Sequence, residues 1–418
     1  MFEFSVPTKV YQTPDLGSCV AAILQQAGAR QVGVMLDEQL LAAPPVLELL
    51  GALEDKVRVE RYPHHATLPT TALVDAYARA LRKRTPEFLL AIGGGTTLDL
   101  AKAVAALTLS EGSIEVYQGT GRRLGASIPT IMVPTTAGTG CEVSSVALLV
   151  HEATSAYQEV SAPSMAPRFA VLAPTLLSSL PQSLRAAEGL VAFAHAVEAW
   201  LSPRASPLTR VFALEAIKHL WRSLPVVVEA PGDLVAQGEV QLAATLAGIA
   251  LENSTRGLVS TVGHSVALLA PVPFAQVIAR ALPALLRELC CASALSPPHA
   301  SARVWPGSSD PEPLQLEGTP ASAAAALQAL GVALQSADWT GNDPSRSLDG
   351  SRLASDLLEP FRNAGLWKCL GEPMDVFGGS RSVRDAAAAR WMHAPAVQAV
   401  GLTQPSIERI LDEVGAVR

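Results

Sequence analysis

The rhythm of apolar and polar positions changes part-way along the chain. Up to about residue 180, short apolar runs alternate with longer amphipathic stretches. Residues 31–36, 57–62, 88–92, 128–133 and 170–172 read as strands, and residues 70–84 and 97–109 as helices. Such alternation predicts a parallel sheet with helices packed on its faces. From Pro181 onward strand signals nearly vanish. Residues 184–201, 208–220, 238–251, 263–270 and 276–289 carry helical periodicity, and a last helix is expected over 404–414 behind Thr403. The prediction is an α/β domain over 1–180 and an all-helical domain over 181–418. Within the second, the Pro-, Ser- and Gly-rich stretch 295–320 is expected to be a mobile loop.

The sharpest local signal is Phe88-Leu-Leu-Ala-Ile-Gly-Gly-Gly-Thr-Thr-Leu-Asp-Leu-Ala-Lys102. A strand-type run ends in Gly93, Gly94 and Gly95, and a helix-type pattern follows at once. Lacking a Cβ, these glycines can adopt positive φ and let a ligand approach the backbone. Thr96 and Thr97 are expected to cap the helix, whose first N–H groups would face a phosphate. A second elbow, Pro134-Thr-Thr-Ala-Gly-Thr-Gly-Cys-Glu-Val-Ser-Ser145, follows another strand. Two Gly-rich elbows after two strands suit a dinucleotide lying across strand ends, as on a Rossmann-like sheet.

Composition narrows the setting. Hydrophobic residues make up 49% of the 418 and charged residues 17%, enough for a large core. A net charge of -7, with acids and bases interspersed, favours neither nucleic acid nor an anionic membrane as partner. The five cysteines show no CxxC spacing, which fits a reducing compartment. No signal-peptide pattern and no uninterrupted apolar span appears, so a cytoplasmic location is expected.

Three motifs in order carry a family resemblance: Gly93-Gly-Gly-Thr-Thr-Leu-Asp-Leu-Ala-Lys102, Pro134-Thr-Thr-Ala-Gly-Thr-Gly-Cys-Glu142 and Ala194-His-Ala-Val-Glu-Ala-Trp200. The chain resembles the iron-containing (group III) alcohol dehydrogenases, with maleylacetate reductases as near relatives. The resemblance runs from about Tyr11 to Leu289 and implies a dehydroquinate synthase-like fold, with a nucleotide domain, a helical domain and a cleft between them. It implies that Gly93, Gly94, Gly95, Thr96, Thr97 and Asp99 hold a pyrophosphate. Thr135, Thr136, Thr139 and Ser144 would line the nicotinamide end. Asp37, closing the first strand, would accept hydrogen bonds from the adenosine ribose; its carboxylate would disfavour a 2′-phosphate, so NAD is expected, with NADP left open. Relatives are commonly dimers, so a homodimer acting on a small molecule is expected.

The resemblance breaks at the metal. The family's ligands are an aspartate and a histidine one helical turn apart, then two more histidines. Here the aspartate position is Val191, His195 follows correctly, and the remaining positions fall on Ser260 and Phe274. One imidazole does not make a catalytic site, which normally needs three protein ligands, so no metal is expected. Glu188, seven residues before His195 on the same face, is a carboxylate that could join His195 at such a site. Tyr157 replaces a lysine that the family places near the nicotinamide ribose, and Ala173 an aspartate. A protonated histidine can do part of a Lewis acid's work. The expectation is therefore a metal-independent NAD(P)H reductase of an activated carbonyl or alkene, with His264 as proton donor and His195 orienting the substrate. Two other readings stay open: a non-redox lyase or cyclase on the same fold, and a catalytically dead scaffold.

Overall fold

The structure is a computed structural model. It describes all residues except 1, 66–67, 118–123, 153–155, 203, 255–258, 260–262, 265, 268–271, 292–322, 336–349, 371–386, 389–403 and 416–418. Ser260 and the 295–320 stretch therefore lie outside the described residues. The chain forms two compact units. One comprises residues 6–181 and 230–252, the other residues 1–5, 182–229 and 253–418.

The first unit is built on a six-stranded parallel sheet in the order β1-β8-β5-β4-β2-β3. Its strands are β1 (Lys9–Gln12), β2 (Gln31–Asp37), β3 (Arg58–His64), β4 (Phe88–Gly93), β5 (Thr130–Pro134) and β8 (Phe169–Leu172). A separate antiparallel pair joins β6 (Val146–His151) to β7 (Ala156–Ser161). All six residues of β4 are buried because it lies between β2 and β5 with helices on both faces. Its side chains still alternate. Phe88, Leu90 and Ile92 join Val32, Val34 and Leu36 of β2 in a core with α1 (Leu16–Gln26) and α2 (Pro44–Glu54). Leu89 and Ala91 face the other core, with α3 (Thr71–Lys83) and α4 (Gly95–Thr108). Side chains fix the helix starts: Asp15 accepts from Ser18 N at 3.0 Å, and Thr70 from Leu73 N at 3.2 Å.

The expected single border near residue 180 is crossed again, because α7 (Leu234–Glu252) packs in the sheet unit. Hydrogen bonds tie it there: Gln12 Nε2 to Gly238 O (2.8 Å), Gln241 Nε2 to Pro134 O (3.0 Å) and Thr245 Oγ1 to Glu142 Oε1 (2.7 Å). Gly140, at φ 65°, lies so close to α7 that a Cβ there would fall 2.5 Å from the Gly248 Cα. By length and hydropathy α7 could cross a membrane, but most of it is buried in the protein, and it is a core helix.

The second unit is helical: α5 (Gln182–Leu201), α6 (Pro207–Glu229), α8 (Phe274–Cys291), α9 (Ala323–Gln335), α10 (Gly350–Asn363), α11 (Leu366–Cys369) and α12 (Gln404–Gly415). Phe193 meets Phe361 edge-on at 4.9 Å in its core. Tryptophan N–H groups staple helices together, from Trp200 to Ala326 O (2.8 Å), Trp221 to Leu357 O (3.0 Å) and Trp367 to Ala279 O (2.9 Å). Arg409 of α12 pairs with Glu288 of α8 through two bonds of 2.6 and 2.7 Å.

Candidate functional site

The C-terminal ends of β2, β4 and β5 lie side by side. Leu36 pairs with Ile92, and Gly93 with Pro134, so Asp37, the glycine loop and the threonine loop line one edge of the sheet. Helix α4 begins at Gly95, with Gly94 as N-cap and no side-chain cap. This corrects the expected caps: Thr96 and Thr97 lie inside the first turn. A helix start without a capping side chain, at the positive end of the helix dipole, suits an anion. Gly94, Gly95 and Thr96 are partly exposed there, whereas Thr97 is buried.

None of the three glycines has positive φ. Space explains two of them instead. A Cβ on Gly93 would fall 2.3 Å from Thr97 Oγ1, and one on Gly95 2.8 Å from Thr139 Oγ1. Thr136 and Thr139 keep partial exposure beside the loop. Thr135 is buried, its N–H donating to Gly93 O at 3.0 Å.

Two expected cofactor contacts are turned inward. Asp99 is buried, forms an ion pair with Lys102 (2.9 Å) and accepts from Leu148 N (3.1 Å). A carboxylate so engaged supports the loop and would repel a pyrophosphate. Ser144 is equally committed, its Oγ accepting from Lys102 Nζ at 2.9 Å. Lys102 is wholly buried and also donates to Cys141 O (3.1 Å), Ser144 O (3.4 Å) and Val146 O. It ties α4 to the threonine loop, a role the sequence hinted at only through its i,i+3 spacing from Asp99. Glu142, buried under that loop, has its pKa raised by burial; the Thr245 hydroxyl and Lys102 oppose the shift. Tyr157 is held above its usual range by burial and by the charge of Asp99, so its phenol stays protonated at neutral pH. Asp37 is partly exposed and accepts from Gln39 N at 3.0 Å.

In the helical unit, His195 and His264 both lie against Phe274. Ring centroids are 6.4 Å apart for His195 and 4.3 Å for His264. His195 is buried and His264 partly exposed. Val191, one turn before His195, is fully buried and offers no donor atom. Among the described residues no three His, Cys, Asp or Glu side chains are grouped to hold a metal ion.

Residues 7–174 match the family described as iron-containing alcohol dehydrogenase, and residues 185–292 its C-terminal domain. The chain belongs to this family. It is 30% identical over 266 residues to the 1-propanol dehydrogenase PduQ of Salmonella typhimurium, covering 63% of this chain and 67% of that one. It is 29% identical over 248 residues to the NAD-dependent methanol dehydrogenase of Bacillus methanolicus, covering 59% of this chain and 65% of that one. The chain thus spans about two thirds of each relative. Among solved structures, the sulfoacetaldehyde reductase of Bifidobacterium kashiwanohense, in complex with NAD+, superposes with a TM-score of 0.80 at 18% identity, covering 100% and 99% of the two chains. A 1,3-propanediol oxidoreductase gives 0.80 at 21%, covering 99% and 100%. At those identities the likeness establishes the dehydrogenase fold.

Proposed function

We propose that the chain is an NAD-dependent oxidoreductase that reduces an activated carbonyl or alkene without a catalytic metal. The observation that carries the reading is the uncapped α4 N-terminus beside packed glycines in the sheet unit; within the helical unit, His195 and His264 lie against Phe274. The α4 N-terminus can take a dinucleotide's pyrophosphate on Gly95, Thr96 and Thr97, with Asp37 at the ribose end. NAD as cofactor is supported by the methanol dehydrogenase relative and by the NAD+ complex of the reductase. Reduced nicotinamide, when bound, supplies the hydride.

The donor set argues against the family's iron. An imidazole flanked by a valine and a phenylalanine offers one ligand where a catalytic ion needs about three. Losing the ion removes a Lewis acid, so the substrate must bring its own activation. That is the basis for likening the chain to maleylacetate reductases. In the proposed chemistry His264, partly exposed, donates the proton to the developing oxyanion, and buried His195 orients the substrate. We also propose that the enzyme is a cytoplasmic homodimer.

Titration with NADH and NADPH, followed by cofactor fluorescence, tests the cradle; binding of neither refutes the reading and favours a scaffold. His264→Ala should lower turnover by about 100-fold or more while leaving NADH affinity intact, and an unchanged rate rejects His264 as donor. Protein made in iron- and zinc-rich medium should carry no stoichiometric ion, and an ion held by His195 would overturn the metal-free reading.

A further inference from the structure

Glu188 is a carboxyl group that the chemistry above does not use. It lies on α5 three residues before Val191 and seven before His195, so the three side chains share one helix face. The register of that helix is fixed: a Cβ on the adjacent Gly189 would fall 2.2 Å from Leu224 of α6. Glu188 keeps some accessible surface, yet its Oε2 is sealed from solvent and, among the described residues, has no hydrogen-bond partner. Burial alone pushes its carboxyl up to about 7, with no opposing charge to offset it.

A buried carboxyl without a partner is a net cost to folding. An apolar side chain of similar size would serve a purely structural position better. No described residue supplies that partner, and a bound ligand can. We propose that Glu188 is a substrate-specificity residue, accepting a hydrogen-bond donor (a hydroxyl or an ammonium) at the end of the substrate remote from its reacting carbon. The inference rests on the dehydrogenase reading and assigns its substrate class: carbonyl compounds with a hydroxyl or amino group several bonds from the carbonyl. The separation follows from the helix, since seven residues span about 10 Å. Glu198, seven residues after Val191 on the same face, already accepts from Val259 N at 2.9 Å.

The test uses three product-side ligands, 1-hexanol, 1,6-hexanediol and 6-amino-1-hexanol, titrated by calorimetry into the full-length protein with NAD+ present. The diol or the amine should bind at least tenfold more tightly than hexanol; the stronger of the two names the donor. Glu188→Leu should bring all three together. Glu188→Gln, which keeps an acceptor oxygen, should retain the preference for the diol and lose the one for the amine. Where turnover is measurable, the same preference should appear in KM more than in kcat. Equal binding of the three ligands to the unaltered protein overturns the proposal, as does a preference that survives Glu188→Leu. Failure of the dehydrogenase reading would show separately, as a lack of NADH binding.

Discussion

Gly140 offers the cleanest test of how α7 is held against the threonine loop. Alanine there meets two costs. Its φ of 65° is left-handed, worth about 1–2 kcal/mol for an L-residue. Its Cβ would also lie 2.5 Å from Gly248 Cα, 2.8 Å from Ala244 O and 2.9 Å from Gly248 N. These are backbone atoms, so no rotamer relieves the clash, and α7 must shift at about 1–3 kcal/mol. Gly140→Ala should therefore destabilise by about 3 kcal/mol. Gly28 is the control: its φ is 68°, but nothing lies within 4 Å of its Cβ position. Gly28→Ala should cost the torsional part alone, about 1 kcal/mol. Gly248→Ala approaches from the other side. On helix propensity alone it should stabilise α7 by about 1 kcal/mol, yet its Cβ would stand 2.6 Å from Gly140 O, so it too should destabilise. Urea unfolding followed by far-UV circular dichroism measures all three. If Gly140→Ala costs no more than Gly28→Ala, or if Gly248→Ala stabilises, α7 does not pack on that loop as described.

Lys102→Met should destabilise by about 3–5 kcal/mol, because it strands the buried Asp99 carboxylate and several carbonyls; urea unfolding should show it, with loss of NADH binding as the threonine loop comes away from α4. Folded Glu188 titrates near 7 against an ordinary 4.5, so its contribution is whole below about pH 4.5 and is lost as pH rises through 7. The difference approaches about 3 kcal/mol, and Glu188→Gln should flatten unfolding stability measured between pH 5 and 7.5; an unchanged slope would refute burial as the cause.

The parts of the fold legible in the sequence were those with a strong period or strong punctuation. The strands at 31–36, 88–92 and 128–133 lie within β2, β4 and β5 apart from two residues at the start of β5, and the glycine loop opens α4 as expected. The division into a sheet unit and a helical unit was also legible, except for α7. Periodicity identifies that segment as a helix but carries no information about which core receives it; the decision lies with Gly140, Gln12 and Glu142, distant in sequence. The same limit explains Asp99. Helix α4 is buried from Thr97 to Thr108, so no polar face marks which way a carboxylate points. Only the Lys102 ion pair reveals that it turns inward. Helices α1 and α2 and the β6–β7 pair were not among the expected elements. The helices' local signals are the Asp15 cap of α1 and the two prolines that open α2. At the candidate site, the histidines were legible as residues, but their shared contact with Phe274 needed the fold.

That two of the three loop glycines are explained by packing rather than by backbone freedom separates their roles. Gly93 must be small because Thr97, buried in the first turn of α4, fills the space a Cβ would need, with Oγ1 at 2.3 Å and Cβ at 2.5 Å. Gly94 is different: a Cβ there would meet Thr136 Cγ2 at 3.4 Å and its Oγ1 at 3.6 Å, both ordinary contacts. Its φ of -77° suits any residue. Nothing in the fold therefore demands glycine at 94, and what remains is the space in front of the uncapped helix N-terminus. Gly93→Ala should lower stability by about 1–3 kcal/mol through overpacking. Gly94→Ala should leave stability within about 0.5 kcal/mol but weaken NADH at least tenfold, since its methyl group stands beside the N–H groups offered to the phosphate. Unfolding curves and fluorescence titrations on the two variants separate these effects. A Gly94→Ala protein that binds NADH like the parent would place the phosphate elsewhere and remove the main physical support for the cradle.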